Sequence, residues 1–378
     1  MTLTVREQVM LAGYTTLGVG GPAARFVDAG TDEQVIAEVR DADAAGEPVL
    51  VLGGGSNLVV ADEGFPGTVV HVATSGVSIA GDDGGVLVAV AAGEDWDRLA
   101  ERCVAEGLSG IECLSGIPGL AGATPIQNVG AYGQEVSETV VAVRAYDRLR
   151  DTIATLANAE CGFGYRTSAF KRSVGVQRGR AALDAAAATG RYVVLGVTFR
   201  LSRDPLSAPV RYGELARVLG TGDGGRAPLA DVRSAVLALR RGKGMVLDPA
   251  DPDTRSAGSF FTNPALDHRQ LADVQRRAAA RAGVAAGEVS VPHFPAGDGQ
   301  DGQVKVPAAW LIEHAGFGKG YPGGGGARIS SKHTLALVNG GGASSASLVA
   351  LAREIRNGVR HAFGVELVNE PVLIGAEL

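Results

Sequence analysis

The feature that most constrains the fold is a long glycine-rich segment, LSGIPGLAGATPIQNVGAYG at positions 114–133. Its five glycines are interleaved with hydrogen-bond donors such as Ser115, Thr124 and Asn128. A run of this composition is too flexible to form a regular core helix or strand. It suits a backbone that lies close against a flat or phosphorylated ligand. The alternative is a glycine-rich loop that packs only on its own strands.

A second glycine-rich motif, GGGSN at positions 53–57, lies between two short apolar runs. Its glycines let backbone N–H groups converge on an anion, and Ser56 and Asn57 add side-chain donors. It is not a Rossmann fingerprint, because Leu58 breaks the pattern and no helix follows, and it lacks the Lys of a Walker loop. A tight turn would explain this motif alone equally well. Two glycine-rich segments in one half of the chain favour a dinucleotide with two phosphates.

Charge and composition exclude several classes of protein. The chain carries 35 Lys and Arg against 41 Asp and Glu, a net charge of −6, which argues against a general binder of nucleic acid or anionic membranes. We expect no membrane insertion, because no apolar run approaches the roughly 18 residues of a membrane span. We expect no signal peptide, because the N-terminal sequence MTLTVREQVM lacks a basic segment followed by an apolar block. Three cysteines without C-x-x-C spacing fit a cytoplasmic location. The six histidines form no ligand pattern, so we expect no metal site.

The periodicity of apolar residues predicts a mixture of helices and strands. A β-α-β unit begins the chain, with Thr31 or Asp32 capping a helix that carries Val35, Ile36 and Val39 on one face. A further predicted helix places Trp96, Leu99 and Cys103 at helical spacing and stops at Gly107. The predicted strands are 24–29, 48–52, 58–60, 68–72, 86–91 and 192–201, and the predicted helices after residue 95 are 96–106, 308–314 and 347–363.

Two basic motifs are candidates for binding anions. The sequence GFGYRTSAFK at 162–171 carries Arg166, which could clamp a carboxylate, although a lone Arg more often lies at a solvated surface. Arg240, Arg241 and Lys243 end a predicted helix and form a basic cluster on an acidic chain, as a phosphate site requires. Charges that complement the helix dipole would explain the same cluster.

Two motifs near the carboxyl-terminal half are candidates for chemistry. Small residues surround Ser259 in AGSFFTNP, leaving room for a ligand, while Phe260 and Phe261 can hold the turn in the core. Glu370 lies in the apolar terminal segment VNEPVLIG, where Pro371 makes a fully paired central strand position unfavourable. Glu370 is therefore either an exposed edge residue or a residue of a site.

These motifs, in this order, resemble the UDP-N-acetylenolpyruvoylglucosamine reductase (UDP-N-acetylmuramate dehydrogenase) family from about Thr15 to about Gly375. The resemblance implies an α+β fold whose N-terminal half, residues 12–204, is an FAD-binding domain of the vanillyl-alcohol-oxidase (PCMH) type. That half would comprise two α/β subdomains, about 12–78 and 79–204. A smaller α+β substrate-binding domain would cover residues 205–378, and its terminal strand would return to the active site.

The resemblance also implies a reaction in peptidoglycan precursor synthesis. NADPH reduces a non-covalently bound FAD and leaves, and UDP-N-acetylglucosamine enolpyruvate then enters the same pocket. The substrate takes a hydride at its alkene carbon and is protonated to the lactyl ether of UDP-N-acetylmuramate. By resemblance Arg166 and Glu370 meet the substrate carboxylate and Ser259 donates the proton. Glu370 would assist that carboxylate only in its protonated form, because an ionised Glu would repel it.

Further binding residues are carried over by position. Tyr212, Lys243 and Asn263 match contacts to the UDP-sugar or to the nicotinamide nucleotide. The residues that match FAD contacts are Gly53, Gly54, Gly55, Ser56, Asn57, Ile117, Pro118, Gly119, Thr124, Pro125, Gln127, Asn128, Gly130, Ala131, Tyr132, Gly133 and Arg240.

The chain departs from the family pattern at two positions. Val372 stands where many members carry an Arg, and Phe294, in the loop 291–300, stands where a Tyr is common. The segments 173–190 and 320–326 resemble insertions and have no assigned role. Two other functions remain open, an FAD-dependent oxidase of the same fold and a non-catalytic flavin-binding sensor. Neither glycine-rich segment contains a His that could tether FAD covalently.

Overall fold

The computed structural model describes residues 3–174, 189–285, 287–296 and 302–378. The α-helices are α1 (Asp32–Ala45), α2 (Trp96–Ala105), α3 (Ala169–Arg172), α4 (Gly213–Leu219), α5 (Leu229–Gly242), α6 (His268–Ala282), α7 (Ala308–His314) and α8 (Ser345–Phe363). The strands are β1 (Thr4–Met10), β2 (Pro22–Ala29), β3 (Val49–Leu52), β4 (Leu58–Val60), β5 (Phe65–Val72), β6 (Val77–Asp82), β7 (Gly85–Ala91), β8 (Leu108–Ser109), β9 (Gly130–Ala131), β10 (Gln134–Glu135), β11 (Val140–Asp147), β12 (Thr152–Ala157), β13 (Tyr192–Arg203), β14 (Ser256–Ser259), β15 (Ala265–Asp267), β16 (Phe294–Pro295), β17 (Gln303–Lys305), β18 (Ala327–Ile329), β19 (Ala336–Asn339) and β20 (Val372–Ile374).

The chain forms two compact units that interleave along the sequence. The first unit comprises Met1–Tyr14, Gly21–Ser56 and Glu63–Leu247, and the second comprises Thr15–Gly20, Asn57–Asp62 and Asp248–Leu378. The main division therefore lies after Leu247 and not at the predicted boundary between residues 204 and 205.

Residues 205–247 belong to the first unit because their helices share a core with its earlier part. Leu215 on α4 and Val232 and Val236 on α5 are fully buried in one hydrophobic cluster with Val210. Cys113, from the glycine-rich half of the chain, completes that cluster. Helices α4 and α5 thus share their core with a residue directly before the glycine-rich segment 114–133.

The described residues of the first unit form two large sheets. One sheet has the order β1-β2-β5-β3, with β2, β5 and β3 parallel to one another and β1 antiparallel at the edge. The other sheet has the antiparallel order β12-β11-β13-β7-β6, and β8 pairs with β13. Strand β1 was missed by the prediction, which began the domain at residue 12. Six of its seven residues are exposed, so no apolar alternation marks it.

The predicted helix faces of the first unit are confirmed. Val35 and Val39 on α1 are fully buried, and Thr31 caps the helix by accepting a hydrogen bond from the Gln34 N–H. Trp96 on α2 is fully buried, and its indole N–H donates to the Leu114 carbonyl at 3.0 Å. The Trp96 bond ties α2 to the start of the glycine-rich segment 114–133.

In the described part of the second unit, helices α6, α7 and α8 pack against short strands. Its sheets have the orders β14-β19-β18 and β15-β17-β16, and the terminal strand β20 lies parallel to β4. Buried Phe260, Phe261, Leu348 and Ile355 belong to one hydrophobic core. Helix α8 begins two residues before the predicted 347 because Ser344 caps it, accepting from the Ser347 N–H at 3.1 Å.

Several predicted features fall partly or wholly beyond the described ranges. Residues 175–188 of the segment 173–190 and residues 297–300 of the loop 291–300 lie outside the described residues. The glycine-rich segment 320–326 forms turns with no helix or strand, as predicted, and leads directly into β18. Among the helices that the structure describes, none combines the length and the apolar character needed to cross a bilayer.

Candidate active site

The two glycine-rich segments meet in the first unit. A Cβ atom built on Gly54 would lie 2.8 Å from the Cα of Gly119, and one built on Gly119 would lie 2.7 Å from the Oγ of Ser56. Gly119 has a φ of +115°, which side-chain-bearing residues rarely adopt. The backbone of the loop after β3 is therefore in close contact with the backbone of the loop before residue 120. Glycine leaves the amides and Ser56 accessible to a ligand placed against both loops.

Arg240 lies beside the start of the glycine-rich segment 114–133. A Cβ on Gly116 would come within 2.7 Å of the Leu237 side chain and 3.4 Å of the Arg240 Nε. The Arg240 Nη2 donates to the Met245 carbonyl at 2.8 Å. Its buried Nε has no hydrogen-bond partner among the described residues. A buried guanidinium N–H without an acceptor is costly, so this atom is suited to a ligand oxygen or nitrogen.

The electrostatic surroundings of Arg240 support the same interpretation. Burial lowers the pKa of the Arg240 guanidinium, while the neighbouring Tyr132 and Asp97 oppose that shift. Asp97 is itself held by Arg233, whose two Nη atoms lie 2.6 and 3.1 Å from its carboxylate oxygens. The Asp97 charge is thus largely committed to Arg233. A bound anionic or electron-rich group would compensate Arg240 directly.

Arg166 is oriented by the glycine-rich segment. Its Nη2 donates to the Gly130 carbonyl at 2.8 Å, and its Nη1 to the Asn128 carbonyl at 3.4 Å. Arg166 has a φ of +53°, and Gly164 and Thr167 on either side of it pair as an isolated bridge. A non-glycine residue in this conformation carries strain, which clusters at functional sites.

Lys171 and Ser168 attach the motif at 162–171, which contains Arg166, to the glycine-rich segment 114–133. The Lys171 ammonium donates to the Gln127 side-chain oxygen at 2.6 Å and to the Arg166 carbonyl at 3.3 Å. Buried Ser168 donates from its hydroxyl to the Ile126 carbonyl at 2.7 Å. Lys171 and Ser168 belong to the motif GFGYRTSAFK, in which the sequence predicts a role only for Arg166. Their bonds bring Arg166 to the predicted cofactor-binding residues 127–130.

An aromatic and basic cluster lies at the other end of the segment. The rings of Tyr132 and Tyr212 meet edge to face at a centroid distance of 5.3 Å, and the Lys243 Nζ lies 5.7 Å from the Tyr132 centroid. The Lys243 Nζ also lies 2.6 Å from Glu214 Oε2. Burial is the largest influence and alone would lower the pKa of Lys243, but the hydrogen bond and charge of Glu214 together with Tyr132 and Tyr212 outweigh it, and the pKa is raised. Glu214 was missed, although it stands two residues after Tyr212.

The second unit brings three predicted residues together through its backbone. Ser259 ends β14, and the carbonyl of the next residue, Phe260, accepts from the Glu370 N–H at 2.9 Å. The Asn57 side-chain N–H donates to the Glu370 carbonyl at 3.4 Å, and the Asn57 carbonyl accepts from the Val372 N–H at 2.9 Å. Ser259 and Glu370 are both half-buried. Pairing of β20 with β4 is what carries Glu370 to this position.

Other predicted residues have structural bonds. Asn263 accepts from the Ala308 N–H at 2.9 Å through its side-chain oxygen, so it caps the first turn of α7. Buried Thr124 donates from its hydroxyl to the Ala121 carbonyl at 2.8 Å. These two bonds explain the residue types without a ligand, and any binding role must use their remaining atoms.

The structure describes both residues at which the chain departs from the family pattern, Phe294 and Val372. Phe294 lies on β16 with 59% of its surface exposed. Val372 begins β20 and contributes its backbone N–H to the Asn57 contact. Across the described ranges, no group of three or more His, Cys, Asp or Glu side chains has the arrangement of a metal site.

Comparison with known proteins agrees with the division of the chain. Residues 249–374 match the model of the UDP-N-acetylenolpyruvoylglucosamine reductase C-terminal domain. Residues 23–155 match the FAD binding domain. The first match begins two residues after Leu247, where the first structural unit ends.

Close relatives cover the whole chain. The UDP-N-acetylenolpyruvoylglucosamine reductase of Thermobifida fusca is 59% identical over 100% of both chains. The Streptomyces coelicolor enzyme of the same name is 54% identical over 97% of this chain and 90% of its own. The crystal structure of the Thermus caldophilus enzyme is similar with a TM-score of 0.58 and 25% identity, covering 98% of this chain and 99% of that one.

Proposed function

The chain belongs to the UDP-N-acetylenolpyruvoylglucosamine reductase family, and we propose that it reduces the enolpyruvyl group of its UDP-sugar with Arg166, Ser259 and Glu370 at the reacting double bond. The product is UDP-N-acetylmuramate, a peptidoglycan precursor. NADPH is the proposed reductant, and it shares one pocket with the UDP-sugar. A shared pocket explains why the sequence has no separate binding motif for NADPH.

FAD is the cofactor of this family, and the residues of the first unit fit it. The close approach of Gly54 to Gly119 offers backbone amides and the Ser56 hydroxyl to a pyrophosphate. The buried Nε of Arg240 offers a donor to an electron-rich ring edge. When bound, FAD supplies the hydride-transfer chemistry that no amino-acid side chain can perform.

The observation that carries the assignment of Arg166 is its orientation by two backbone carbonyl oxygens. The bonds to Gly130 and Asn128 hold the guanidinium in place. Reduction of the double bond adds negative charge next to a carboxylate that is already anionic. A cation held in position before the reaction stabilises that charge without reorganisation.

Ser259 and Glu370 both act as hydrogen donors in the same step. We assign Ser259 as the proton donor to the substrate carbon beside the carboxylate. An alcohol is a weak acid, but a carbanion is a strong base, so the transfer runs downhill. Glu370 assists in its protonated form by donating to the substrate carboxylate. Its backbone bond to Phe260 supports a shared location with Ser259.

The cluster of Tyr132, Tyr212, Lys243 and Glu214 supports a subsite for the UDP part. An ammonium group of high pKa stays charged at neutral pH and can meet a diphosphate. Tyr212 is 42% exposed, and its ring can contact an apolar or aromatic ligand surface. Asn263 would contribute through the atoms that its helix cap leaves available.

A cytoplasmic location and a role in cell-wall growth complete the proposal. The cysteines Cys103, Cys113 and Cys161 are free thiols, as a reducing compartment requires. The nucleotide-linked product belongs to the stage of cell-wall synthesis at which UDP-sugars and NADPH are both available. Cell shape and division depend on that supply.

A visible spectrum of the purified protein tests the proposed function. It should show bound flavin that bleaches with NADPH under anaerobic conditions and recovers on adding UDP-N-acetylglucosamine enolpyruvate. Oxygen in place of the enolpyruvyl sugar is the control, and an oxidase would recover faster with oxygen. A protein that stays colourless after incubation with FAD would contradict the proposal.

A further inference from the structure

Both carbonyl oxygens that orient Arg166 belong to residues in contact with Glu135. The Asn128 side-chain N–H donates to Glu135 Oε2 at 2.7 Å and to the Gly164 carbonyl at 3.2 Å. Gly130 pairs with Glu135 in the hairpin of β9 and β10. A Cβ on Gly130 would lie 2.8 Å from the Glu135 Cγ and 3.2 Å from the Arg166 Nη1. Glu135 and Arg166 therefore approach the same face of Gly130.

We propose that Glu135 is a positioning residue for Arg166, acting through Asn128 and Gly130. The proposal rests on the role assigned to Arg166 above. Glu135 would hold the Asn128 side chain, and with it the backbone whose carbonyl accepts from Arg166. Its effect on the substrate is indirect, because it sets where the guanidinium lies.

The conformation of Asn128 explains why such a support is needed. Asn128 has a φ of +45°, outside the regions that most residues adopt. Its side-chain oxygen accepts from the Ser137 N–H at 3.1 Å while its N–H group serves Glu135 and Gly164. A strained residue persists only where its surroundings over-determine it. Without the Glu135 bond, Asn128 can relax and carry its carbonyl away from Arg166.

Two substitutions at Glu135 test whether the position of its side-chain oxygen or its negative charge is what matters. Glu135→Gln removes the charge but keeps an oxygen that can accept from Asn128. Glu135→Asp keeps the charge but withdraws the carboxylate by one methylene, which breaks a 2.7 Å bond. If positioning is the role, Gln supports the reaction and Asp does not. A role that depends on charge gives the opposite order.

The measurement separates the two half-reactions by stopped-flow absorbance of the FAD-loaded protein. Glu135→Asp should slow the recovery driven by the enolpyruvyl sugar by about tenfold or more, since small misplacements of a positioning group have effects of this size. Bleaching by NADPH, FAD content and the Kd of UDP-N-acetylmuramate should stay near the parent values. Glu135→Gln should stay close to the parent in all four. Glu138→Asp and Glu138→Gln, in a pair exposed to solvent with Arg211, are matched controls.

The double variant Glu135→Asp with Arg166→Gln tests the connection between the two residues. It should recover no more slowly than Arg166→Gln alone, because a residue acting through Arg166 has nothing left to position. Additive effects, or a slow Glu135→Gln with a fast Glu135→Asp, would overturn the positioning role. A normal rate for Arg166→Gln would instead overturn the proposed function of Arg166. The two failures are therefore distinguishable.

Discussion

Gly54 and Gly119 approach so closely that a Cβ on Gly54 would lie 2.8 Å from the Gly119 Cα. The two residues come from separate glycine-rich segments, each of which has a local explanation as a turn. Their contact makes a common surface of backbone amides. This relationship favours ligand binding over turn formation as the reason for the glycines.

Gly54→Ala should weaken FAD binding because two backbones would have to move apart. Overpacking of this kind costs about 1–3 kcal/mol, or roughly fivefold to 150-fold in the Kd of FAD if the loss falls on the bound state. Fluorescence titration of the deflavinated protein with FAD measures it. Gly81→Ala is the control, because a Cβ there meets nothing within 4 Å. Equal Kd values for Gly54→Ala and the parent would show that the contact is not part of the binding surface.

Arg240→Met should separate stability from cofactor binding. The FAD-free protein should gain about 1 kcal/mol in its free energy of unfolding, because an apolar side chain replaces a buried, incompletely bonded cation. The affinity for FAD should fall by about tenfold, the size of a lost hydrogen bond from a charged donor. Urea unfolding and FAD titration measure the two effects. Exposed Arg241→Met should change neither, and a loss of stability in FAD-free Arg240→Met would contradict the prediction.

Ser259→Ala should preserve flavin reduction by NADPH and impair the second half-reaction. Loss of a general acid slows its step by about 10²–10⁴-fold. Anaerobic stopped-flow spectra follow the bleaching and the recovery separately. Ser256→Ala, at the start of the same strand, is the matched control. Equal slowing of both half-reactions would rule out Ser259 as the proton donor.

The stability of the first unit should depend on pH through Asp147. Its side chain is fully buried, and the Arg191 Nε and Nη2 donate to its oxygens at 2.8 and 2.6 Å. The Arg191 bonds lower the pKa of Asp147 below its ordinary value of 3.8. The pair therefore stabilises the fold above pH 3.8, and that contribution is lost as the pH falls through the folded-state pKa.

Arg191→Gln tests this contribution. It should lower the free energy of unfolding at pH 7 by about 3 kcal/mol, because it leaves a buried carboxylate without its partner. The difference from the parent should shrink below pH 3.8, as urea unfolding at several pH values can show. Arg150 approaches the same carboxylate only at 3.9 Å and is 73% exposed, so Arg150→Gln should have little effect. Similar losses in both variants would contradict the prediction.

Local patterns were sufficient for much of the secondary structure. Helix α1 follows from Thr31 as its cap and from Val35 and Val39 at helical spacing, all of which act within a few residues. Strand β1 was not predicted because its exposed residues show no regular spacing of apolar side chains. The domain boundary was misplaced because the burial of Val232 and Val236 depends on contacts with Cys113, which lies far away along the chain.

The order of the glycine-rich, basic and acidic motifs can be read from the sequence alone, and that order is enough to indicate the family. The tertiary structure was needed to show that Gly54 meets Gly119, that the buried Arg240 Nε lacks a partner among the described residues, that Glu135 accepts from Asn128, and that Glu214 pairs with Lys243. Periodicity and capping report interactions between near neighbours in the chain. Contacts between distant segments depend on the path of the backbone, which local patterns do not encode.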